Sequence, residues 1–137
     1  MVQVPNREEM SGVLEKTIEL VEKRLGTEEV KRLAEVMSCF CLELKDIDGR
    51  YYVAFDPAGE TAFSLEDPGT LPMLIISTTS ETFHNMATGA SNPAVEFAKR
   101  KVKMAGVPIP KLGKVGGNLI DSLFLCYRTV VGEEEQA

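Results

Sequence analysis

The hydrophobic period of the chain first changes near residue 38, and this limits it to folds in which two helices come before a meandering sheet. Up to that point apolar residues recur at helical spacing. Met10, Val13, Leu14, Ile18 and Val21 form one stripe, and Val30, Leu33, Ala34 and Met37 form a second. From Ser38 the stretch SCFCLELK alternates. Phe40, Leu42 and Leu44 share one face and Cys41, Glu43 and Lys45 the other, which is the two-residue period of a strand. Asn6 with Glu9 three positions later makes a capping box for the first helix, Gly26 ends that helix, and Thr27 is expected to cap the next.

Turn signals divide the rest of the chain. Asp48-Gly49 predicts a tight hairpin with positive φ, and RYYVAFD then places Tyr51, Val53 and Phe55 on one face. Pro57, Ala58 and Gly59 turn the chain into a third strand, ETAFSLE, which Pro68-Gly69 ends. MLIIST is apolar on both faces, which predicts a strand inside the sheet. Thr79 or Ser80 caps a short helix bearing Phe83, Met86 and Ala87, which stops near Gly89. Asn92-Pro93 opens a helix through Lys99, and KVKMAG is a fifth strand. A link at 107–110, stiffened by two prolines, leads to a last amphipathic helix over about 111–126, with Leu112, Val115, Leu119, Leu123 and Phe124 as its apolar set. The expected fold is α/β of the segregated, α+β kind: a five-stranded, mainly antiparallel sheet covered on one side by about five helices. One domain is expected over 1–137, with its core at 6–127 and an acidic tail at 132–137 that frays.

A chain of 137 residues buries roughly 65–70% of the surface it exposes when unfolded, so it needs no disulfide or metal staple. Its three cysteines are an odd number without a secretory leader, which points to a reducing, cytoplasmic setting. No apolar run, that at 73–76 among them, is nearly long enough to span a bilayer. Charge is unevenly placed. Residues 99–114 hold six cations and no acid, and the rest of the chain holds 9 basic and 21 acidic side chains. Such an acidic body does not suit nucleic-acid binding, which rests on neutralising phosphates. The basic stretch is either a solvated corner or a contact for an anionic head group or a transient anionic membrane surface.

Catalytic and metal-binding patterns are missing. The single histidine, His84, rules out a His-rich zinc site and is expected to face solvent. There is no CxxC, no GxSxG elbow, no GxxxxGK[ST] loop and no GxGxxG fingerprint, and GKVGG at 113–117 follows PIP rather than a strand. Cys39 and Cys41 read as small buried side chains, and the carboxylates as solvated helix surface. No metal, cofactor or catalytic residue is expected.

The most specific stretch is 74–106, LIISTTSETFHNMATGASNPAVEFAKRKVKMAG. A buried strand leads to a short helix from Ser80 with Phe83, which ends in Thr88-Gly89. Asn92-Pro93 opens the next helix with Phe97, and a basic strand with Lys101 and Lys103 ends in Gly106. This order resembles the sterol carrier protein-2 family of non-specific lipid-transfer proteins. It departs from the family pattern at Arg100, where glycine is usual, at Glu96, where a small residue is usual, and at Ala98, where a second aromatic is common. The resemblance implies an apolar tunnel between sheet and helices that takes fatty acids, acyl-CoA, sterols or isoprenoid-like lipids, with no catalytic residues. The walls expected under it are Phe83, Met86, Ala87, Phe97, Val102, Met104, Leu112, Val115, Leu119 and Leu123. Lys99, Arg100, Lys101, Lys111 and Lys114 are the candidate head-group contacts. Two other readings stay open on the residues alone. One is a thiol-dependent acyl-handling enzyme using Cys126 or Cys41 with His84. The other is an interaction module that forms a homodimer through an exposed face bearing Tyr51, Val53 and Phe55.

Overall fold

The computed structural model describes the backbone of residues 4–107 and 109–136, and the side chains of residues 4–107 and 112–132. Helix α1 (Arg7–Leu25) starts at the capping box read from the sequence: the Asn6 side chain accepts from the Glu9 amide, and the Glu9 carboxylate accepts from the Asn6 amide. Helix α2 (Thr27–Val36) follows with no spare residue. Gly26, at φ 82°, ends one helix and caps the next, so Thr27 is the first helical residue and not the cap the sequence suggested. Its methyl packs instead against Gly59, where no Cβ fits.

The strands are β1 (Cys39–Leu44), β2 (Gly49–Phe55), β3 (Thr61–Ser64), β4 (Met73–Thr78) and β5 (Lys103–Ala105). They form one mixed sheet in the order β3-β2-β1-β4-β5. Only the β1–β4 pair is parallel, with Phe40 opposite Leu74 and Leu42 opposite Ile76. The other three pairs are antiparallel. The three interior strands, β2, β1 and β4, are thus richer in buried apolar residues than the edge strands, as both-sided burial requires.

The expected tight turn at Asp48-Gly49 is a longer loop. A turn of 3-10 helix (Lys45–Ile47) leads to Asp48, which takes the left-handed conformation at φ 50°, and Gly49 is already paired with Leu44 in the ladder. Gly49 is needed there for space, since a Cβ would sit 2.6 Å from the Tyr51 hydroxyl. The 3-10 turn is tied down by Asp46, whose carboxylate accepts from the Ser80 amide (2.7 Å) and hydroxyl (2.6 Å) at the start of α3 (Ser80–Thr88). Burial pushes the Asp46 pKa up, but the two Ser80 bonds outweigh it and hold the carboxyl below its ordinary value of 3.8. A depressed carboxyl stabilises the fold above its unfolded pKa and loses that contribution as pH falls through the folded one. Asp46→Asn is therefore expected to cost about 1 kcal/mol at pH 7, discounted for the exposure of the carboxylate. The gap from wild type should begin to narrow in urea titrations carried below the ordinary carboxyl value and close only once pH falls below the depressed folded one. A gap that persists in acid would mean that shape, not charge, holds the turn.

The last helix, α5 (Ile109–Gln136), is longer than the sequence pattern predicts, which ends near Cys126. Its apolar stripe does not stop there: Tyr127, Val130 and Val131 are all buried. The helix packs on α1, α2 and α3, and its backbone runs through residues expected to fray. Within it Gly113, at φ 50° and ψ −147°, breaks the helical path. Between α3 and α5 lies the six-residue α4 (Pro93–Ala98).

One core fills the space between the sheet and the helices. Tyr51, Val53 and Phe55 point into it and are buried, so the face expected to dimerise is not exposed. The opposite sheet face carries a smaller cluster of Cys39, Cys41, Tyr52 and Met73. Segment 65–72 returns across this side. Ser38 donates to the Leu71 and Pro72 carbonyls, and the Asp67 charge lies near both thiols and Tyr52.

Candidate ligand cavity

Between sheet and helices lies an apolar hollow of about 90 Å³. Its floor is Phe40 and Leu42 of β1, Ile76 of β4 and Met104 of β5, with Val102 just before that strand. Its roof is Phe83 and Met86 of α3, Pro93 and Phe97 of α4, and Ile120, Leu123 and Phe124 of α5. Among the described residues every lining side chain is apolar. A second, smaller hollow of about 10 Å³ shares Phe40, Leu42 and Leu123 with the first and continues toward Leu14 and Ile18 of α1. The roof is set by an aromatic cluster. The Phe83 ring meets Tyr127 edge-on at 4.9 Å and Phe124 at 6.1 Å between centroids.

Of the residues expected to wall a ligand, Phe83, Met86, Phe97, Val102, Met104 and Leu123 meet at this hollow. Ala87, Leu112 and Leu119 are buried in the surrounding core, and Val115 packs on it. Phe40, Leu42, Ile76, Pro93, Ile120 and Phe124 complete the lining, and sequence reasoning missed them as wall residues. The first three are legible only as strand core. The basic stretch divides. Lys99 and Arg100 stand exposed at the end of α4, and Lys101 reaches the Glu96 carboxylate at 3.8 Å. Lys114 acts on Glu29 of α2, whose carboxyl is held below its ordinary range chiefly by a hydrogen bond from Asn118. The Lys111 side chain lies outside the described residues.

Two residues depart from their expected settings. Glu96 is buried, not part of a solvated helix surface, because α4 turns it inward beside Lys101. His84 is buried at 4% exposure, not facing solvent, because its Nδ1 pairs with the Tyr127 hydroxyl at 2.7 Å across α3 and α5. Burial pushes the Tyr127 phenol well above its ordinary range, so it is protonated and can donate to His84. Tyr127→Phe, which keeps the ring and removes this bond, is expected to lower stability by about 1–3 kcal/mol. Thermal or urea unfolding reads this directly, and an unchanged midpoint would show that the pair contributes nothing.

The thiol reading meets an obstacle of placement. Cys41 faces the side of the sheet away from α3 and His84. Burial pushes the Cys39 thiol up to about 11, with Cys41 beside it adding to the effect, and also raises Cys41 and Cys126. Protonated thiols are poor nucleophiles. Among the described residues no group of three or more His, Cys, Asp or Glu side chains is placed to hold a metal ion, and no helix is long and apolar enough to cross a membrane.

Sheet, one-sided helical cover and an apolar hollow between them define an α+β domain built around a hydrophobic interior site. The chain belongs to the SCP-2 sterol transfer family, whose model matches residues 14–112. The family is one of lipid binding and lipid transport. No curated protein matches the chain. Among solved structures it is similar to a conserved hypothetical protein from Thermus thermophilus, described as a candidate sterol carrier protein. That likeness has a TM-score of 0.59 at 9% identity, over 95% of this chain and 92% of the other. It is also similar to the apo form of sterol carrier protein 2 from Yarrowia lipolytica, with a TM-score of 0.53 at 16% identity over 89% and 97%. The chain spans 14% of an inverting sec-alkylsulfatase from a Pseudomonas species, matched over 69% of its own length at 17% identity and a TM-score of 0.48. At these identities the likeness concerns the fold alone.

Proposed function

We propose that this protein binds one apolar lipid chain in the hollow between sheet and helices and carries it unchanged, in a reducing, cytoplasmic setting. A fatty acid, acyl-CoA, sterol or isoprenoid-like lipid all fit this description. The observation that carries the reading is the lining: among the described residues, twelve side chains from the sheet, its approach at Val102 and three helices converge, and all are apolar. Such a wall offers no chemistry but does offer escape from water. Each buried methylene is worth roughly 0.8 kcal/mol, so a sixteen-carbon chain gains on the order of 12 kcal/mol before ordering costs. Lys99, Arg100 and Lys101, near the Phe97 rim, are the candidate contacts for an anionic head group or a transient membrane surface.

At about 90 Å³ the hollow is smaller than the roughly 150 Å³ cavity that admits benzene. A lipid chain therefore enters by parting the walls, merging the two hollows across Phe40, Leu42 and Leu123 into a tunnel. Gly113 supplies the slack, because a non-helical joint near the start of α5 lets its first turn move apart from the rest. Lipid extraction and native mass spectrometry of the purified protein, with titration of a fluorescent fatty acid, test the reading. Stoichiometric lipid or saturable binding is expected. A folded protein that carries no lipid and binds no probe would sink it.

A further inference from the structure

Helix α4 is inside out. Solvent-facing helices of water-soluble domains bury apolar side chains and expose charged ones. In the six residues PAVEFA the reverse holds: Pro93, Ala94, Val95, Phe97 and Ala98 are exposed, Pro93 and Phe97 at the edge of the hollow they line, and the only buried side chain is the charged one, Glu96. Val95 is 44% and Phe97 42% exposed, and Phe97 is the only exposed aromatic among the large apolar side chains of the described residues. The helix thus shows a contiguous apolar tip, and Phe97 is also part of the cavity lining.

Cations follow at once. Lys99, Arg100 and Lys103 are exposed, and among the described residues no carboxylate pairs with them. The one acid on α4 is withdrawn from the surface and faces Lys101. Arg100 sits at φ 61°, a backbone conformation that glycine takes without strain and arginine does not. An apolar tip with an unopposed cationic collar matches an anionic bilayer, whose surface attracts basic residues and whose boundary accepts apolar ones. The acidic remainder of the chain is repelled from the same surface, so the field also turns the molecule to present this corner.

We propose that the α4–β5 corner is the face by which the protein docks on an anionic membrane, with Val95 and Phe97 entering the headgroup boundary and Lys99 and Arg100 meeting lipid phosphates. This rests on the carrier reading, and it places the rim of the cavity against the bilayer, so a ligand passes between the two without crossing water. A second copy of the chain is a poorer occupant. Six helical residues span only about 9 Å, too small a patch to supply the roughly 800 Å² per partner of a stable protein interface. A bilayer sets no such minimum.

The chain has no tryptophan, so Val95→Trp introduces one reporter at the tip, on a residue outside the cavity lining. With vesicles of phosphatidylcholine containing 30% phosphatidylglycerol, its emission is expected to shift to the blue. With phosphatidylcholine alone it should not, and added salt should reverse the shift. Adding Lys99→Glu and Arg100→Gly to the reporter should weaken vesicle binding at least tenfold. The glycine relieves backbone strain, so a folding defect is not expected, and circular dichroism checks this. No shift with either vesicle, from a folded protein that still binds a fluorescent fatty acid, overturns the docking face and leaves the carrier reading intact. A shift that grows with protein concentration without vesicles, alongside a dimer in sedimentation, also overturns it in favour of a second copy. A vesicle-dependent shift in a protein that binds no fatty acid supports the docking face and removes the carrier reading.

Discussion

Gly106→Ala is expected to destabilise the protein by about 2–5 kcal/mol, a large share of the total stability of an ordinary domain. Gly106 lies just past β5 at φ 98°, and a methyl group there would overlap the backbone carbonyl oxygen of Met73. Backbone in that conformation costs a non-glycine residue about 1–3 kcal/mol. The overlap adds a similar amount, because the atom it meets belongs to β4 and cannot swing aside as a side chain would. β5 has only three residues to hold it against β4. The displacement therefore spreads to Val102 and Met104 on the cavity floor, and affinity for a fluorescent fatty acid should fall together with stability. Urea unfolding reads the first effect and probe titration the second. A loss under about 1 kcal/mol would show that this edge of the sheet has slack.

The second large effect separates binding from folding. Ile120→Trp should reduce affinity for a fluorescent fatty acid at least tenfold, or about 1.4 kcal/mol, while leaving stability within about 1 kcal/mol of wild type. Ile120 is part-buried on α5 and faces the hollow. An indole there takes up space that a ligand needs, and filling a void does not strain a core as overpacking a solid one does. Ile120→Val, which enlarges the hollow, serves as the control and should bind at least as well as wild type. If the tryptophan variant folds and binds the probe unchanged, the hollow is packing space and the ligand sits elsewhere.

Local signals in the sequence located most of the elements. The switch from helical to alternating period fixed β1, and Asn6 with Glu9 and Asn92 with Pro93 marked helix starts that the structure shows capped as expected. What was hidden depends on partners far along the chain. The burial of His84 needs Tyr127, 43 positions later, and nothing within a helical turn of His84 signals it. Glu96 turns inward because the backbone past α4 brings Lys101 back toward it. The continuation of α5 was present as Tyr127, Val130 and Val131, but Gly132 and three glutamates read as a tail. The candidate site was legible where apolar residues sat on short helices with caps. It was illegible on β1 and β4, where a residue facing a hollow and a residue facing solid core have the same alternation. Leu112, Val115 and Leu119 share a stripe with Leu123, yet only Leu123 reaches the hollow, because one helical stripe spans a wider arc than the hollow does.

The packing of α5 against α1 also sets the order in which the chain can fold. All five strands and four helices precede residue 109. Until the last helix is synthesised, the stripe Met10, Leu14, Ile18 and the cluster around Phe83 have no partner for much of their apolar surface. Contacts between α1 and α5 close a loop that contains every other element, and such closure is slow. A nascent chain stopped before α5 therefore exposes a half-finished greasy layer. Such a chain is a natural client for chaperones and a hazard at high expression, and its rescue depends on α5, which is synthesised after the elements it covers.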